Sequence, residues 1–225
     1  MLGSKLINHL DELFDADEIV LCEHPDFDVY GYRETIHYVG AINEQSLGEK
    51  PHWPNKQSGP KIFAYLKSRF PHIDDLLACL ANSNSNVIVY LADVTSVQRQ
   101  KFENAALSFS EVPLNLTEVA KDCDYAICHG GTGTINTVVA KGIPVLSIPL
   151  TVEQMMFSKR VESCGLAHVF PLEGEANLLV PTLKNFLADK NLQAATKAWQ
   201  AKFALPPMQG RLDSVCDHIA QLAEA

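Results

Sequence analysis

Hydrophobic residues change their spacing repeatedly after residue 60, and the alternation predicts a layered α/β fold. Short apolar runs rich in β-branched and aromatic residues predict strands, at 61–66, 86–91, 106–112, 124–128 and 144–149. Apolar residues at helical spacing predict helices between and after them, at 71–80, 95–104, 115–121, 132–141 and 152–164. Strands that are apolar throughout and separated by helices are typical of a buried parallel sheet. We therefore predict a Rossmann-like parallel sheet with helices on both faces.

The two ends of the chain have different patterns. Near the start, leucines at helical spacing predict a helix (Leu2, Leu6, Leu10 and Leu13), followed by strands at 18–22 and 35–42. Residues 43–60 hold three prolines and two glycines and predict a linker. Near the end, helices are predicted at 175–188 and 191–202. A final helix carries an apolar stripe that should dock on another surface, formed by Leu212, Val215, Cys216, Ile219, Leu222 and Ala223.

Composition and charge narrow the possible partners. The net charge of -9 argues against bulk nucleic acid, which is bound through clustered Lys and Arg. No apolar run approaches the roughly 18 residues of a membrane span, and the first residues do not resemble a signal peptide. The six cysteines include no CxxC pair, which favours reduced structural thiols. These features predict a cytoplasmic protein without a transmembrane segment.

The segment with the clearest chemistry is the turn His129-Gly130-Gly131-Thr132-Gly133-Thr134, between a predicted strand and a predicted helix. Ligands of open parallel sheets bind beyond the carboxyl ends of strands. The first N–H groups of a helix have no partner within the helix and carry partial positive charge, and glycines let the backbone approach a phosphate closely. The turn therefore suits a diphosphate. It is neither the usual dinucleotide fingerprint, because Asn136 occupies the third glycine position, nor a P-loop.

The wider pattern resembles a known family. The turn is followed by Gly-Ile-Pro at 142–144, Ile-Pro-Leu-Thr-Val-Glu-Gln at 148–154 and Gly-Leu-Ala at 165–167. This order resembles the donor-binding, C-terminal domain of GT-B glycosyltransferases, especially the macrolide and glycopeptide glycosyltransferases and the UDP-glucuronosyltransferases. The resemblance is strong over about 107–170 and looser over 61–106. Tyr-Val-Gly at 38–40 resembles the end of the family's acceptor domain.

The resemblance assigns roles to individual residues. Five residues of the turn would bind the diphosphate, namely His129, Gly131, Thr132, Gly133 and Thr134. Glu153 and Gln154 match the family's acid–amide pair that binds sugar hydroxyls. The nucleoside would lie against Val112, Thr137 and Ser68.

Three positions depart from the family pattern. Thr137 stands where the family commonly has a glutamate for the ribose hydroxyls. Glu111-Val112-Pro113-Leu114 replaces the Trp-x-Pro-Gln base platform of plant members, and Lys67 replaces a glycine of the first donor loop. The family needs no divalent metal, and the sequence has no carboxylate-rich metal motif, so neither a cofactor nor a metal is expected.

The resemblance also implies a domain plan and a function. Residues 1–45 would be a remnant of the acceptor domain, 46–60 a linker, and 61–225 a nucleotide-sugar-binding domain with C-terminal tail helices. The implied activity is inverting transfer of a hexosyl group from UDP- or dTDP-sugar to an acceptor hydroxyl, incomplete without an N-terminal acceptor domain. Two alternatives remain open: a non-catalytic nucleotide-sugar-binding subunit with a separate acceptor-domain partner, and a nucleotide-sugar epimerase of the same fold.

Overall fold

The computed structural model of the 225-residue chain describes residues 9, 12, 16, 18–42, 48–54, 58–202 and 208–224. The leucines of the predicted first helix lie outside the described residues. The described strands are β1 (Ile19–Leu21), β2 (Ile36–Tyr38), β3 (Lys61–Leu66), β4 (Asn86–Leu91), β5 (Leu107–Ser110), β6 (Tyr125–Cys128), β7 (Val145–Ser147) and β8 (Ala167–Val169).

Helices alternate with strands from β3 onward. They are α1 (Ile73–Ala81), α2 (Ser96–Phe102), α3 (Leu116–Val119), α4 (Thr132–Val139), α5 (Val152–Ser163), α6 (Leu179–Ala188), α7 (Lys190–Lys202) and α8 (Met208–Glu224). Short 3-10 helices lie at Pro25–Phe27 and Ala176–Leu178. The predicted alternation is confirmed from β3 to α5, with most ends shifted by one or two residues. Strand β8 was not predicted. It is only three residues long, and an apolar run this short cannot be distinguished from a loop by its pattern.

The main sheet has six strands in the order β5-β4-β3-β6-β7-β8, and every neighbouring pair is parallel. Successive side chains of a strand point to opposite faces, so β3 supplies two hydrophobic clusters. Ile62, Ala64 and Leu66 pack with α1 and α6 on one face, and Phe63 packs with α4 and α5 on the other. The predicted Rossmann-like parallel sheet with helices on both faces is confirmed.

Local sequence signals set several helix ends. Thr95 accepts a hydrogen bond from the Gln98 N–H while the Gln98 side chain accepts from the Thr95 N–H, which forms a capping box at the start of α2. Gly142 and Gly165 both have φ of +73° just after α4 and α5. Glycine adopts this left-handed conformation at little cost, so both positions terminate their helices.

The amino-terminal segment, residues 18–42, packs against the sheet domain. Its β1 and β2 pair in parallel as a separate two-stranded sheet. Phe27 is 1% exposed and lies between the rings of Trp199, with centroids 5.1 Å apart, and Phe157, at 6.2 Å. The side-chain nitrogen of Asn136 donates to a carboxylate oxygen of Glu23 at 2.9 Å. Although the sequence assigns this segment to a different domain, its side chains complete the hydrophobic cluster around α4 and α5.

The predicted linker also contacts the domain where it is described. The backbone of Glu49 bridges to Leu114, and the Lys61 ammonium lies 5.6 Å from the ring centre of Trp53. A Cβ added to Gly59 would lie 1.5 Å from the carbonyl oxygen of Asn84, so this position accepts only glycine without rearrangement. The backbone of residues 48–54 and 58–60, the described part of this segment, is irregular, and its contacts were not predicted.

Helix α8 lies against the amino-terminal segment through polar contacts. The Arg211 guanidinium donates to the carbonyl oxygens of Val39, at 2.9 Å, and Ala41, at 3.0 Å. His218 pairs with Glu18. Ile219 and Leu222 of the predicted apolar stripe stay 56% and 46% exposed. Within the described residues, none of the helices is both long and apolar enough to span a membrane.

We predict that Phe27→Ala lowers the free energy of unfolding by about 3 kcal/mol, because deleting a buried aromatic ring removes apolar contacts and leaves a cavity. The measurement is urea unfolding followed by circular dichroism. Tyr30→Ala is the control, since Tyr30 is 77% exposed and its loss should change stability by less than about 0.5 kcal/mol. Equal stability of the Phe27 variant and the wild type would contradict docking of this segment into the core.

Candidate functional site

The strand order creates a crevice between β3 and β6. The chain runs from β3 outward through β4 to β5, then returns to place β6 on the other side of β3. Loops that follow neighbouring strands on either side of such a reversal diverge, and ligands of open α/β sheets bind in the gap at the carboxyl ends. The register pairs Tyr65 with Cys128, so the loops after β3 and β6 begin side by side. The two loops with predicted donor contacts therefore meet at this crevice.

The glycine turn leads directly from β6 into α4. Gly131 is the N-cap of α4, and no side chain caps this end of the helix. Thr132 is exposed at the first helical position, whereas Thr134 is only 8% exposed. The start of α4 thus directs its N–H groups and partial positive charge toward the crevice. Of the two threonines assigned to the diphosphate, Thr132 has an exposed side chain, whereas Thr134 is buried.

His129 lies at the base of the turn against β3. Its ring packs edge-on against Tyr65, with centroids 4.7 Å apart, and its Nδ1 lies 3.4 Å from the Tyr65 carbonyl oxygen. A Cβ added to Gly131 would lie 3.2 Å from His129 Nε2, so that nitrogen faces the turn. Burial lowers the pKa of His129, and the nearby charges of Lys67 and Arg69 lower the pKa further. Burial therefore disfavours the protonated imidazolium form of His129, and Nε2 lies beside the start of α4.

Two cations stand on the other side of the crevice, immediately after β3. Lys67 and Arg69 are close enough to act electrostatically on His129. The Lys67 ammonium also lies 5.0 Å from the ring centre of Tyr65. Ser68, predicted to contact the nucleoside, donates from its hydroxyl to Asp93 at 3.3 Å. The crevice therefore combines a helix start with two cations, an arrangement that attracts anions.

Gly130 permits the sharp bend between β6 and α4. Its φ is +81°, and it is buried. A Cβ there would lie 3.0 Å from Gln154 Cβ, 3.1 Å from Ser158 Oγ and 3.2 Å from Ser147 Oγ. The two serine hydroxyls are hydrogen-bonded to each other at 2.6 Å beneath the turn. Gly130 is therefore required both for its backbone conformation and for its lack of a side chain.

The acid–amide pair lies beside the turn, in the first helical turn of α5. Glu153 is exposed, and Gln154 lies beside Gly130. The side-chain oxygen of Gln154 accepts from the Leu150 N–H at 2.8 Å. Any hydrogen bond from Gln154 to a sugar would therefore be donated by its amide nitrogen, while Glu153 would accept. The two side chains offer complementary groups for adjacent hydroxyls.

The predicted nucleoside contacts are placed less favourably. Val112 follows β5 at the sheet edge, and its carbonyl oxygen already accepts from the Ser110 hydroxyl at 2.6 Å. Thr137 is 1% exposed, and its hydroxyl donates to the Gly133 carbonyl oxygen at 2.8 Å, one helical turn earlier. A ribose contact from Thr137 would require both uncovering this side chain and breaking that bond. Thr137 is better explained as a buried helix residue of α4.

Sequence reasoning missed two contributors to the crevice. Arg69 gives no motif signal, and its position becomes informative only when β3 is known to border the reversal in strand order. Gly130 lies within the predicted turn, but no role was assigned to it. A glycine between a strand and a helix is nevertheless a signal for positive φ. Among the described residues, no group of three or more His, Cys, Asp or Glu side chains could hold a metal ion.

We predict that Gly130→Ala destabilises the protein more than Gly165→Ala. Both glycines have positive φ, which costs an alanine about 1–2 kcal/mol. Gly165 has open space where a Cβ would stand, whereas crowding at Gly130 should add about 1–3 kcal/mol. Chemical unfolding of the two variants measures the difference. Equal losses would show that the turn is not packed against α5 as described.

Comparisons with known proteins find glycosyltransferases. Residues 59–206 match the glycosyltransferase family 28 C-terminal domain. The zeaxanthin glucosyltransferase of Pseudescherichia vulneris is 26% identical over 176 residues, which cover 74% of this chain and 41% of that protein. An N-acetylglucosamine transferase of Thiobacillus denitrificans that acts on N-acetylmuramyl-(pentapeptide) pyrophosphoryl-undecaprenol is 28% identical over 109 residues, 45% of this chain and 28% of that one. The chain thus spans less than half the length of these relatives.

Solved structures share the fold. The spinosyn rhamnosyltransferase SpnG superposes with a TM-score of 0.73 at 15% identity, over 90% of this chain and 57% of that one. The glycosyltransferase VinC, solved in complex with dTDP, has a TM-score of 0.66 at 17% identity, over 83% of this chain and 48% of that one. Because the family match covers more than half of the chain, the protein belongs to the glycosyltransferase family 28 C-terminal domain family, with the Rossmann-like fold of the C-terminal half of a GT-B glycosyltransferase.

Proposed function

We propose that the chain binds a UDP- or dTDP-linked sugar at the β3–β6 crevice and serves as the donor half of a hexosyltransferase. The observation that carries the proposal is the meeting of the His129–Thr134 turn with Lys67 and Arg69 across that crevice. The diphosphate would lie over the start of α4, with Gly131, Thr132 and Gly133 toward it. The sugar would extend toward Glu153 and Gln154, beside the same turn.

The proposed chemistry is inverting transfer to an acceptor hydroxyl without a divalent metal. Negative charge builds on the diphosphate as the sugar leaves. Preorganised dipoles at a helix start and nearby cations stabilise such charge without reorganising during the reaction. Lys67 and Arg69 would assist at the phosphates, because both follow β3 at the crevice and act electrostatically on His129. Ser68 and Val112 remain proposed nucleoside contacts. Thr137 is not proposed as a nucleoside contact because its side chain is buried.

A second candidate is a donor-binding subunit that acts only with an acceptor-domain partner. The exposed Ile219 and Leu222 on α8, together with Ile19 of β1, which is 42% exposed, favour such a partner because they leave apolar surface beside the amino-terminal segment. Either an N-terminal acceptor domain in the same polypeptide or a separate acceptor chain could cover this apolar surface. Both arrangements use the same donor site.

We predict that UDP or dTDP stabilises the protein and that NAD does not, because Asn136 stands where a dinucleotide site has its third glycine. At 100 times the dissociation constant, the gain in unfolding free energy should be about 2.7 kcal/mol. His129→Ala should weaken binding by about 1.5–3 kcal/mol in calorimetry, the loss expected for a hydrogen bond to a charged group, here donated by a protonated Nε2 of His129 to a diphosphate oxygen.

The matched control is His168→Ala, which removes another half-buried histidine two strands away and should leave UDP affinity within twofold. Unchanged affinity in the His129 variant would assign that histidine a structural role. Equal stabilisation by NAD would reject the proposed site.

We further predict that the 225-residue chain binds donor but transfers sugar slowly by itself. General-base catalysis contributes roughly 10² to 10⁴-fold to rates, and the family resemblance assigns that base to the acceptor domain. The measurement is transfer of labelled sugar to a panel of hydroxyl acceptors, with and without an added acceptor-domain chain. Multiple-turnover transfer by this chain alone at the rate of the mixture would contradict the assignment.

A further inference from the structure

A cavity of about 520 Å³ lies along the outer edge of the six-stranded sheet, two strands away from the β3–β6 crevice. It is bordered by β8, by the ends of α5 and α6 and by the first turns of α7. Its volume is in the range of sites for small organic molecules. The described lining contains none of the residues assigned to the donor site. A ligand in this cavity would therefore bind independently of the proposed nucleotide sugar.

Two carboxylates of the lining are anchored to adjacent positions of β8. Glu162 Oε1 accepts from the Val169 N–H at 2.9 Å, and Asp189 Oδ2 lies 2.9 Å from His168 Nε2. Because His168 and Val169 are neighbours in the strand, these contacts bring both carboxylates to the same stretch of the cavity wall. Glu162 also pairs with Lys159, but this lysine is 55% exposed and such surface pairs contribute little. Both carboxylates are therefore available to a ligand.

The helix ends around the cavity add to its negative potential. α5 and α6 both end here, and the last turn of a helix carries partial negative charge. The last turn of α6 contains no basic residue. α7 begins here, but Asp189 Oδ1 already accepts from the N–H groups of Asn191 and Leu192 at 3.0 Å. The hydrogen bond from Leu192, and then that from His168, hold the pKa of the Asp189 carboxyl below its usual range. Asp189 is therefore ionised at neutral pH.

The rest of the lining can form hydrogen bonds with hydroxyl groups. Thr182 brings a hydroxyl, and Asn185 and Asn191 bring amides, which both donate and accept. Within the described lining, His168 is the one basic side chain, so an anion would be repelled. A bare metal ion does not fit either, because no three His, Cys, Asp or Glu side chains of the described residues could hold one. These features favour an organic cation that also carries hydroxyl groups.

We propose that this cavity binds a protonated, polyhydroxylated amine, which is the chemistry of an amino sugar. Its ammonium would lie near Glu162 and Asp189, and its hydroxyls would contact Thr182 and the two asparagines. When His168 Nε2–H donates to Asp189, the neutral ring leaves Nδ1 as one more hydrogen-bond acceptor. The site would be separate from the donor crevice, so its occupancy should not require UDP.

The test follows the amide chemical shifts of the isotopically labelled full chain during titration with N-methylglucamine, a polyhydroxylated amine that is protonated at neutral pH. Saturable changes are expected at residues 167–169 and 185–192, which border the cavity. Sorbitol has a hydroxyl in place of the charged amine, and it should bind at least tenfold more weakly. Dimethylamine has the charge without the hydroxyls, and it should also bind at least tenfold more weakly.

Glu162→Gln should weaken binding of N-methylglucamine at least tenfold, because glutamine keeps an oxygen for the Val169 N–H but removes the charge. The matched control is Glu118→Gln on α3. Glu118 is also half-buried, also pairs with a lysine three residues away and lies outside this lining, so its variant should bind within twofold of the wild type. UDP affinity should stay within twofold in both variants. Asp189→Asn gives the same test if the Glu162 variant does not fold.

Three results would overturn the proposal. The first is the absence of saturable changes at residues 167–169 and 185–192 in the wild type, or changes centred on the turn at 131–133, which would place the amine in the donor site. The second is binding of sorbitol or dimethylamine as tight as that of N-methylglucamine. The third is unchanged binding by a folded Glu162→Gln or Asp189→Asn variant.

Discussion

The pairing of β3 with β6 is the constraint on which the candidate site depends. These strands are distant in the sequence, and their parallel register sets the loop at Lys67–Arg69 beside the turn at His129–Thr134. Each loop by itself is unremarkable: one is a short basic stretch, and the other is a glycine turn. Placed across one crevice, they combine two cations with the start of a helix and a half-buried histidine whose Nε2 faces the turn. The proposed affinity for a diphosphate follows from this combination.

The packing of Phe27 is the second structural determinant. A ring that is almost fully buried between α5 and α7 fixes residues 18–42 against α5, the helix that carries Glu153. The Glu23–Asn136 hydrogen bond adds a polar link to α4. The segment thereby becomes a wall next to the donor site.

Much of the fold could be predicted because the local pattern of apolar residues and helix-end signals agrees with the strands and helices that form. The runs at 61–66 and 86–91 match the observed strands, and Thr95, Gly142 and Gly165 mark helix ends through their own hydrogen bonds or backbone conformation. The glycine turn was identified for the same reason. What depends on distant contacts could not be predicted: the burial of Phe27, the burial of Thr137 within α4, and the proximity of Arg69 to His129. Resemblance assigned Thr137 to the ribose, but its hydroxyl bonds to its own helix.

The most direct test of the account is to observe which backbone N–H groups respond when UDP is added to the isotopically labelled protein. We predict that the largest changes in amide chemical shift fall on Gly131, Thr132 and Gly133 and on the Lys67–Arg69 loop, and that they saturate together. The described cavity beside His168 and Asp189 should show no such change. Saturating shifts centred on that cavity, or on none of the residues at the β3–β6 crevice, would contradict the account.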